Sequence, residues 1–253
     1  MTTLQLRSDC KALCEAAQEL ADILHITLSD DGFPVYTTKT DHGLFVKFDL
    51  DHVTIGYHKR AEFFRALGLL VENFETKTDV EEQPRYSELS VMYDCSRNAV
   101  PTVESVKRRI RHLALMGYTS ILLYTEDTYE IDGYPYFGYM RGRYTKDELR
   151  EIDDYADRFG LELIPCIQVL AHLRQALKWI ANRPMRDIDD ILLVGEPKTY
   201  DLIAAMLKTC SECFRTKRIH IGMDEAWNLG NGVYFKRNGY RDHTAIIAEH
   251  FEK

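Results

Sequence analysis

The sequence predicts an α/β protein in two parts: a small N-terminal α+β domain, followed by the first half, four βα units, of a TIM-type (β/α)8 barrel. Residues 1–80 mix helical and extended patterns, whereas from residue 88 onward apolar strand-like segments alternate with amphipathic helical ones. A closed barrel of this type typically needs about 250 residues for itself. Since the N-terminal part uses a third of the chain, we expect only half a barrel.

The N-terminal part is predicted in the order helix, strand, strand, strand, helix. The first twenty residues are polar and helix-like, and apolar spacing extends the helix through 7–24. Extended segments follow at 25–30, 33–39 and 43–58, and a second helix at 59–74. The segment 75–85 is polar and contains Pro84, which is typical of a linker. We therefore predict domains 1–82 and 83–253.

Four strand-helix units are predicted after the linker. The strands are expected at 88–95, 118–127, 161–169 and 217–225, and the helices at 101–117, 145–160, 171–183 with 198–214, and 241–253. Pro101 suits a first helical turn, and Gly117 suits a helix end. Near-continuously apolar strands indicate a parallel sheet covered by helices. Half a barrel leaves two open strand edges, so we expect a homo-oligomer or pairing through these edges.

Composition excludes several classes of function. A formal charge of −8 and a pI near 5.6 argue against a nucleic-acid partner, which concentrated Lys and Arg would bind. No segment approaches the roughly 18 to 20 apolar residues of a membrane helix. The N-terminus does not resemble a signal peptide, so a cytoplasmic location without membrane association is expected. Six cysteines are too few for a disulfide scaffold, and Cys210 and Cys213 fit a helix better than a zinc site.

Polar side chains follow each predicted strand, where the chemistry of such barrels collects. They are Asp94, Ser96 and Arg97 after the first, Tyr124, Glu126 and Asp127 after the second, Gln168 and His172 after the third, and His220, Asp224 and Glu225 at the fourth. Four polar strand ends on one face carry more weight than any single one. We therefore expect the active site at this face.

Asp224 and Glu225 raise the possibility of general acid catalysis, because a half-buried carboxylate beside another can retain a proton near neutral pH. A solvated pair at a helix N-terminus is the alternative. A metal-dependent hydrolase using His172, His220 and Asp224 is a further, less favoured hypothesis. Trp227 and the Tyr-rich loop 127–144 could stack on sugar rings, although ordinary loop packing produces such aromatics as well.

The segment "HIGMDE" (220–225) resembles the H-x-G-G-D-E signature of glycoside hydrolase family 20, the β-N-acetylhexosaminidases. The similarity continues in Arg97, in "YTED" (124–127), in "GRYTKDELREIDDYADRFGLELIP" (142–165) and around His172. Residues 1–80 are similar to the small domain that precedes the barrel in this family. The resemblance spans nearly the whole chain, but the chain spans only about half of a family member.

The resemblance implies a retaining, substrate-assisted hydrolysis of terminal β-linked N-acetylglucosamine or N-acetylgalactosamine, without metal or cofactor. Glu225 would be the general acid and base. Asp224 would orient the acetamido group and stabilise the oxazolinium. Substrate contacts are implied for Arg97, His172 and Trp227, and supporting roles for Asp127, Glu126, His220 and Gln168.

Three departures from the family pattern matter. Met223 replaces the second glycine of the signature, and Gln168 in "PCIQVLAH" stands where P-E-x-D-x-P-G-H has an aspartate. The later strands, which hold the acetamido clamp in family members, are not in this sequence. We therefore expect an exo-β-N-acetylhexosaminidase fragment with little or no activity alone; a non-catalytic, self-associating half-barrel is the alternative.

Overall fold

The computed structural model describes residues 2–97 and 99–253. The chain forms two compact units. One holds the residues up to Val91 with Thr102–Ile121 and Asp154–Glu162, and the other holds Met92–Pro101, Leu122–Asp153 and Leu163–Lys253. The domain boundary at 82/83 stays a prediction.

A six-stranded mixed sheet dominates the first unit. Its strands are β1 (Thr2–Arg7), β2 (Ile26–Leu28), β3 (Phe33–Lys39), β4 (Leu44–Phe48), β5 (Val53–Tyr57) and β6 (Val80–Glu82). They lie in the order β2-β1-β3-β5-β4-β6, with β4 antiparallel to both neighbours and the other pairs parallel.

Two of these strands contradict the sequence-based expectation. β1 was predicted as part of a helix, yet in "TTLQLR" Leu4 is buried in the sheet while its neighbours are not. β6 lies inside the predicted linker, where backbone pairing with β4 outweighs the polar composition of "VEE". Tertiary pairing overrides local pattern in both cases.

The helices of this unit bury their apolar faces. They are α1 (Lys11–Gln18), α2 (Ala21–Leu24) and α3 (Arg60–Glu72), followed later in the chain by α4 (Val103–Leu115). α3 buries Phe63, Phe64, Leu67 and Leu70 completely. α4 begins where the hydroxyl of Thr102 accepts the Ser105 N–H. Its charged residues Arg108 and Arg109 are exposed, as is usual for the solvated face of an amphipathic helix.

Three parallel strands follow: β7 (Ser90–Asp94), β8 (Ser120–Tyr124) and β9 (Glu162–Cys166), in the order β7-β8-β9. β7 and β8 run in the same direction. Near their starts the Thr119 N–H donates to Leu89 O, and near their ends the Cys95 N–H donates to Tyr124 O. The crossovers contain α4 and α5 (Lys146–Arg158). The order β7, α4, β8, α5, β9 follows the predicted alternation of strands and helices, and the half-barrel layout stays a prediction.

The predicted fourth strand, 217–225, is not a regular strand. Only a parallel bridge joins Cys166 to His220, flanked by N–H donations from Ile167 to His220 O and from Val169 to Ile221 O. The pairing stops because the backbone turns at the next residue, Gly222, where φ is +75°.

The remainder of the second unit contains α6 (Arg174–Leu177), a 3₁₀ helix (Ile180–Met185), the hairpin β10 (Arg186–Ile188) and β11 (Ile191–Leu192), α7 (Pro197–Cys213), α8 (Val233–Asn238) and α9 (His243–Phe251). The predicted helix at 171–183 is wrong in extent, since Trp179 is extended (ψ 140°) and separates α6 from the 3₁₀ segment. The hairpin and α8 were not predicted. Leu170, Leu193, Leu229, Tyr234 and Ile246 are among the residues of the buried cluster here.

Cys210 and Cys213 lie buried on α7, as their helical spacing predicted. Burial raises the pKa of both thiols, that of Cys210 to about 12. Within residues 2–97 and 99–253, no helix is long and apolar enough to cross a membrane.

Candidate active site

The polar residues after β7, β8 and β9 all belong to the second unit. At the end of β7, Asp94 Oδ1 accepts the backbone N–H and the hydroxyl of Ser96, each at 2.9 Å. Arg97 Nη1 lies 3.2 Å from Asp94 Oδ2. Burial opposes ionisation of Asp94, but the Ser96 hydrogen bonds and the Arg97 charge outweigh it, and the pKa of Asp94 is lowered.

Arg97 is a half-exposed cation held in a fixed place. Its guanidinium lies over the ring of Tyr124, 4.6 Å from the centroid, and its Nε is 3.7 Å from Glu126 Oε1. The side chain keeps 48% of its surface exposed. It is therefore able to donate further hydrogen bonds to a ligand.

Glu126 and Asp127 follow β8; Asp127 is buried and Glu126 is largely so. Their side chains are 13% and 1% exposed, and Arg141 approaches both, with Nε 3.6 Å from Asp127 Oδ1 and Nη2 3.9 Å from Glu126 Oε2. Arg141 also donates to the Ser96 carbonyl. Burial raises the pKa of both carboxyls, and nearby positive charge, chiefly Arg97 at Glu126 and Arg141 at Asp127, offsets only part of that effect.

Gln168 lies just past the end of β9 and is 1% exposed. Its Nε2 donates to Asp224 Oδ1 at 2.8 Å and to the Tyr124 hydroxyl at 3.1 Å. Its Oε1 accepts the backbone N–H of Met223 at 3.1 Å. One buried amide thus connects the β8 end to the 222–225 turn.

His172 stands between two pairs of carboxylates. Its Nδ1 is 4.0 Å from Glu126 Oε1, and its Nε2 is 3.3 Å from Asp224 Oδ2 and 3.6 Å from Glu225 Oε2. Its backbone φ is +58°, which is unusual for a residue with a side chain. The family resemblance implied a substrate contact for His172, and the structure places its imidazole among the carboxylates of Glu126, Asp224 and Glu225.

Asp224 and Glu225 are more exposed than the sequence suggested. Their side chains are 59% and 61% exposed, so the half-burial expected of this pair is wrong. Residual burial opposes ionisation of Asp224, but the Gln168 hydrogen bond and the His172 contact outweigh it, and its pKa is lowered. The lowered pKa favours the ionised form of Asp224.

The turn that carries these carboxylates has a strained backbone. Met223 has φ +83° and Glu225 φ +55°, in the region that favours glycine. The glycine that Met223 replaces in the family signature suits this conformation. Met223 therefore adopts a conformation that side chains rarely take.

Two predicted site residues lie apart from this cluster. His220 is exposed, and its Nδ1 accepts the Gly222 N–H at 3.2 Å. Trp227 is 78% exposed. Among the residues the structure describes, no three His, Cys, Asp or Glu side chains are grouped to hold a metal ion, and the set of His172, His220 and Asp224 is no exception.

Arg141 was missed by the sequence analysis. It lies within the Tyr-rich loop, where no spacing relates it to a strand end. In the same loop, Tyr136 and Tyr139 pack on Trp179, with ring centroids 5.6 and 5.3 Å away. Only the pair of arginines in "RGRY", on a loop next to acidic strand ends, hinted at a buried cation.

Comparison with known proteins identifies the family of this chain. Residues 89–249 match the family model described as glycosyl hydrolase family 20, catalytic domain. The chain is 28% identical to a beta-hexosaminidase of Vibrio furnissii, over 58% of this chain and 30% of that protein. It is 27% identical to human hexosaminidase D, over 56% of this chain and 30% of the relative.

Solved structures show the shared fold. The exo β-N-acetylglucosaminidase of Vibrio harveyi in complex with N-acetylglucosamine superposes with a TM-score of 0.79 at 19% identity, covering 97% of this chain and 48% of that one. The β-N-acetylhexosaminidase of Streptomyces coelicolor A3(2) gives 0.72 at 23% identity, covering 98% and 60%. The α/β fold class predicted from the sequence is confirmed, and the chain spans about half of the solved relatives. By the match over residues 89–249, the chain belongs to glycoside hydrolase family 20.

Proposed function

We propose that this chain is the N-terminal half of an exo-β-N-acetylhexosaminidase site, laid out as a small α+β domain and the first four βα units of a barrel. Its substrate would be a terminal β-linked N-acetylglucosamine or N-acetylgalactosamine. The observation that carries the proposal is the convergence of Glu126, Asp224 and Glu225 on His172, within 3.3 to 4.0 Å.

Glu225 is the proposed general acid and base. Its carboxyl is exposed, so a glycosidic oxygen can reach it, and His172 Nε2 lies 3.6 Å away to orient it. In the first step the Glu225 proton goes to the leaving oxygen as the C1–O bond breaks. In the second, Glu225 takes a proton from the water that attacks C1.

The nucleophile in this proposal is the substrate's own acetamido oxygen, which forms an oxazolinium by attack on C1. Asp224 accepts the acetamido N–H and stabilises the positive charge that develops. This role requires an anion, and the lowered pKa of Asp224 supports it. Arg97, half-exposed and anchored by Asp94, donates to hydroxyls of the same sugar.

A complete site needs groups that enclose the acetamido arm from the remaining strands of the barrel. Because the chain spans about half of its solved relatives, we expect it to turn over slowly or not at all by itself. Loss of substrate orientation alone can cost several kcal/mol of the barrier.

The test compares two substrates that differ in leaving group. With N,N′-diacetylchitobiose, Glu225→Gln is expected to lower kcat at least about 100-fold, since the departing alkoxide needs a proton. With 4-nitrophenyl N-acetyl-β-glucosaminide the loss is expected to be smaller, because nitrophenolate leaves without protonation. Equal losses on both substrates would contradict the acid role of Glu225.

Two controls cover the other parts of the proposal. 4-Nitrophenyl β-glucoside lacks the acetamido group and should not be hydrolysed; hydrolysis would exclude substrate assistance. If the chain does not turn over, binding of the thiazoline analogue of N-acetylglucosamine is measured by calorimetry, and Asp224→Asn is expected to weaken it about tenfold. The absence of both turnover and binding would reject the proposal for this chain.

A non-catalytic, self-associating half-barrel is a second candidate, favoured by one observation. An apolar groove of about 310 Å³ lies beside Ile221, between α7 and α9, and includes Leu207, Met223 and Phe251. Leu207 is 39% and Phe251 66% exposed, so apolar surface remains uncovered. Sedimentation is expected to show an oligomer that Leu207→Glu with Phe251→Glu dissociates. A monomer at all concentrations would eliminate this candidate.

A further inference from the structure

The backbone at Gln168 is held in place by hydrogen bonds of the residues before and after it. The Ile167 N–H donates to His220 O, and the Val169 N–H donates to Ile221 O, at 2.8 and 3.0 Å. The residue between them is therefore held by the 220–221 segment. Its side chain is 1% exposed and leaves this anchored backbone toward the turn that carries Asp224.

The amide orientation is determined by its partners. Oε1 faces a backbone N–H, that of Met223, which can only donate. Nε2 faces a carboxylate oxygen of Asp224 and the Tyr124 hydroxyl. If the two amide atoms were exchanged, the NH2 group would face the Met223 N–H, and the amide oxygen would face the Asp224 carboxylate. Both ends of the amide are thus used.

The neighbouring glycine shows how closely the turn approaches. A Cβ at Gly222 would lie 2.2 Å from Gln168 Oε1 and 2.6 Å from Ile167 O. Only a residue without a side chain allows this approach. The amide and the turn at 222–223 are therefore fitted to each other.

We infer that Gln168 is a positioning residue for Asp224: its buried amide fixes both the carboxylate and the turn that presents it, through donation to Oδ1 and acceptance from the Met223 N–H. The inference rests on the proposed function, in which Asp224 binds the acetamido group. It gives a specific role to the residue that replaces the family's aspartate at this position.

The chemical consequence lies in charge. An amide donates a hydrogen bond at every pH, whereas a second carboxylate 2.8 Å from Asp224 would have to carry a proton to do so. The other titratable groups facing Asp224 are His172 at 3.3 Å, Glu225 next in the chain, Tyr124 through the shared amide, and the Cys166 thiol. Gln168 thus supports an anionic Asp224 without a proton of its own.

The test follows the Asp224 carboxyl directly by NMR of protein labelled with ¹³C-aspartate, with Asp224→Asn to assign the signal. In Gln168→Leu the midpoint of the Asp224 titration is expected to rise by about one pH unit. Tyr124→Phe leaves the Gln168 bond to Asp224 in place and should keep the wild-type midpoint. An unchanged midpoint in folded Gln168→Leu would overturn the inference.

Gln168→Glu covers the case in which the leucine variant does not fold. The two carboxyls would then titrate as a coupled pair with one midpoint raised above that of wild-type Asp224, because protonated Glu restores the donor and ionised Glu repels. Two independent, unraised midpoints would also overturn the inference. Neither arm needs turnover. If the midpoint rises but the chain is inactive, the Gln168 inference holds and only the proposed function is in question. If the enzyme is active but the midpoints are unchanged, only the role of Gln168 is rejected.

Discussion

Two pairs of neighbouring carboxylates lie at the same edge of this fold, and they behave in opposite ways. Glu126 and Asp127 are 13% and 1% exposed, and burial raises the pKa of both. Asp224 and Glu225 are 59% and 61% exposed, and the pKa of Asp224 is lowered. Two adjacent acidic residues in a sequence therefore do not by themselves specify a protonation state.

The difference has a structural cause. Glu126 and Asp127 face the largely buried guanidinium of Arg141, and Glu126 also faces Arg97, but these charges compensate burial only in part. Asp224 is reached by solvent and also accepts a hydrogen bond from Gln168. In the proposed mechanism the exposed pair contacts the sugar, and the buried pair with His172 supports it from behind.

The largest expected effect comes from removing the buried cation. Arg141→Met removes the ion pair of the buried Asp127 and is expected to lower the free energy of unfolding by about 3 kcal/mol at pH 7. Urea denaturation measures it. Arg60→Met is the control: its ion pair with Asp157 is half-exposed on both sides, and we expect a loss below about 1 kcal/mol. Equal losses would contradict a special dependence of the buried Asp127 on Arg141.

The fit between the turn and Gln168 is tested by a pair of glycine substitutions. Gly222 and Gly133 have nearly the same φ, +75° and +82°, but a Cβ at Gly133 meets nothing within 4 Å. Both substitutions by alanine carry the cost of a positive φ, about 1 kcal/mol. Gly222→Ala is expected to cost about 2 kcal/mol more, because of the clash with Gln168. Similar thermal unfolding of both variants would indicate that the approach is loose.

The smallest effect is a pair of opposite pH dependences. The raised pKa of Asp127 stabilises the fold below its unfolded pKa, and this stabilisation is lost as pH rises through the folded pKa. Asp127→Asn removes that loss, so the variant should gain stability relative to wild type between about pH 4 and pH 7.

Asp224 has the opposite sign, since its lowered pKa stabilises the fold above its unfolded pKa. That contribution is lost as pH falls through the folded pKa. Asp224→Asn should therefore be less stable than wild type at pH 7, with the deficit closing below about pH 4. The deficit should be small because the side chain is largely exposed. Parallel pH profiles of the two variants in urea denaturation would disprove the comparison.

Much of the fold could be predicted from the sequence. Apolar periodicity located α3, α4, α5 and α7 and the strands β7 to β9, because each has a continuous apolar face or run that has to be buried. It failed for β1 and β6, whose short segments become strands only through pairing with distant partners. It also failed at 217–225, where positive φ values end the pairing.

For the candidate site, the sequence alone determined the residue types and their places at strand ends, since the motif around Asp224 and Glu225 is local. Only the tertiary structure decided which of these groups are buried and which meet. The Arg141 contact with Glu126 and Asp127, and the Gln168 amide between Tyr124 and Asp224, join segments far apart in the chain. Burial and opposing charge set the ionisation of a carboxylate, and both arise from neighbours that spacing along the chain does not reveal.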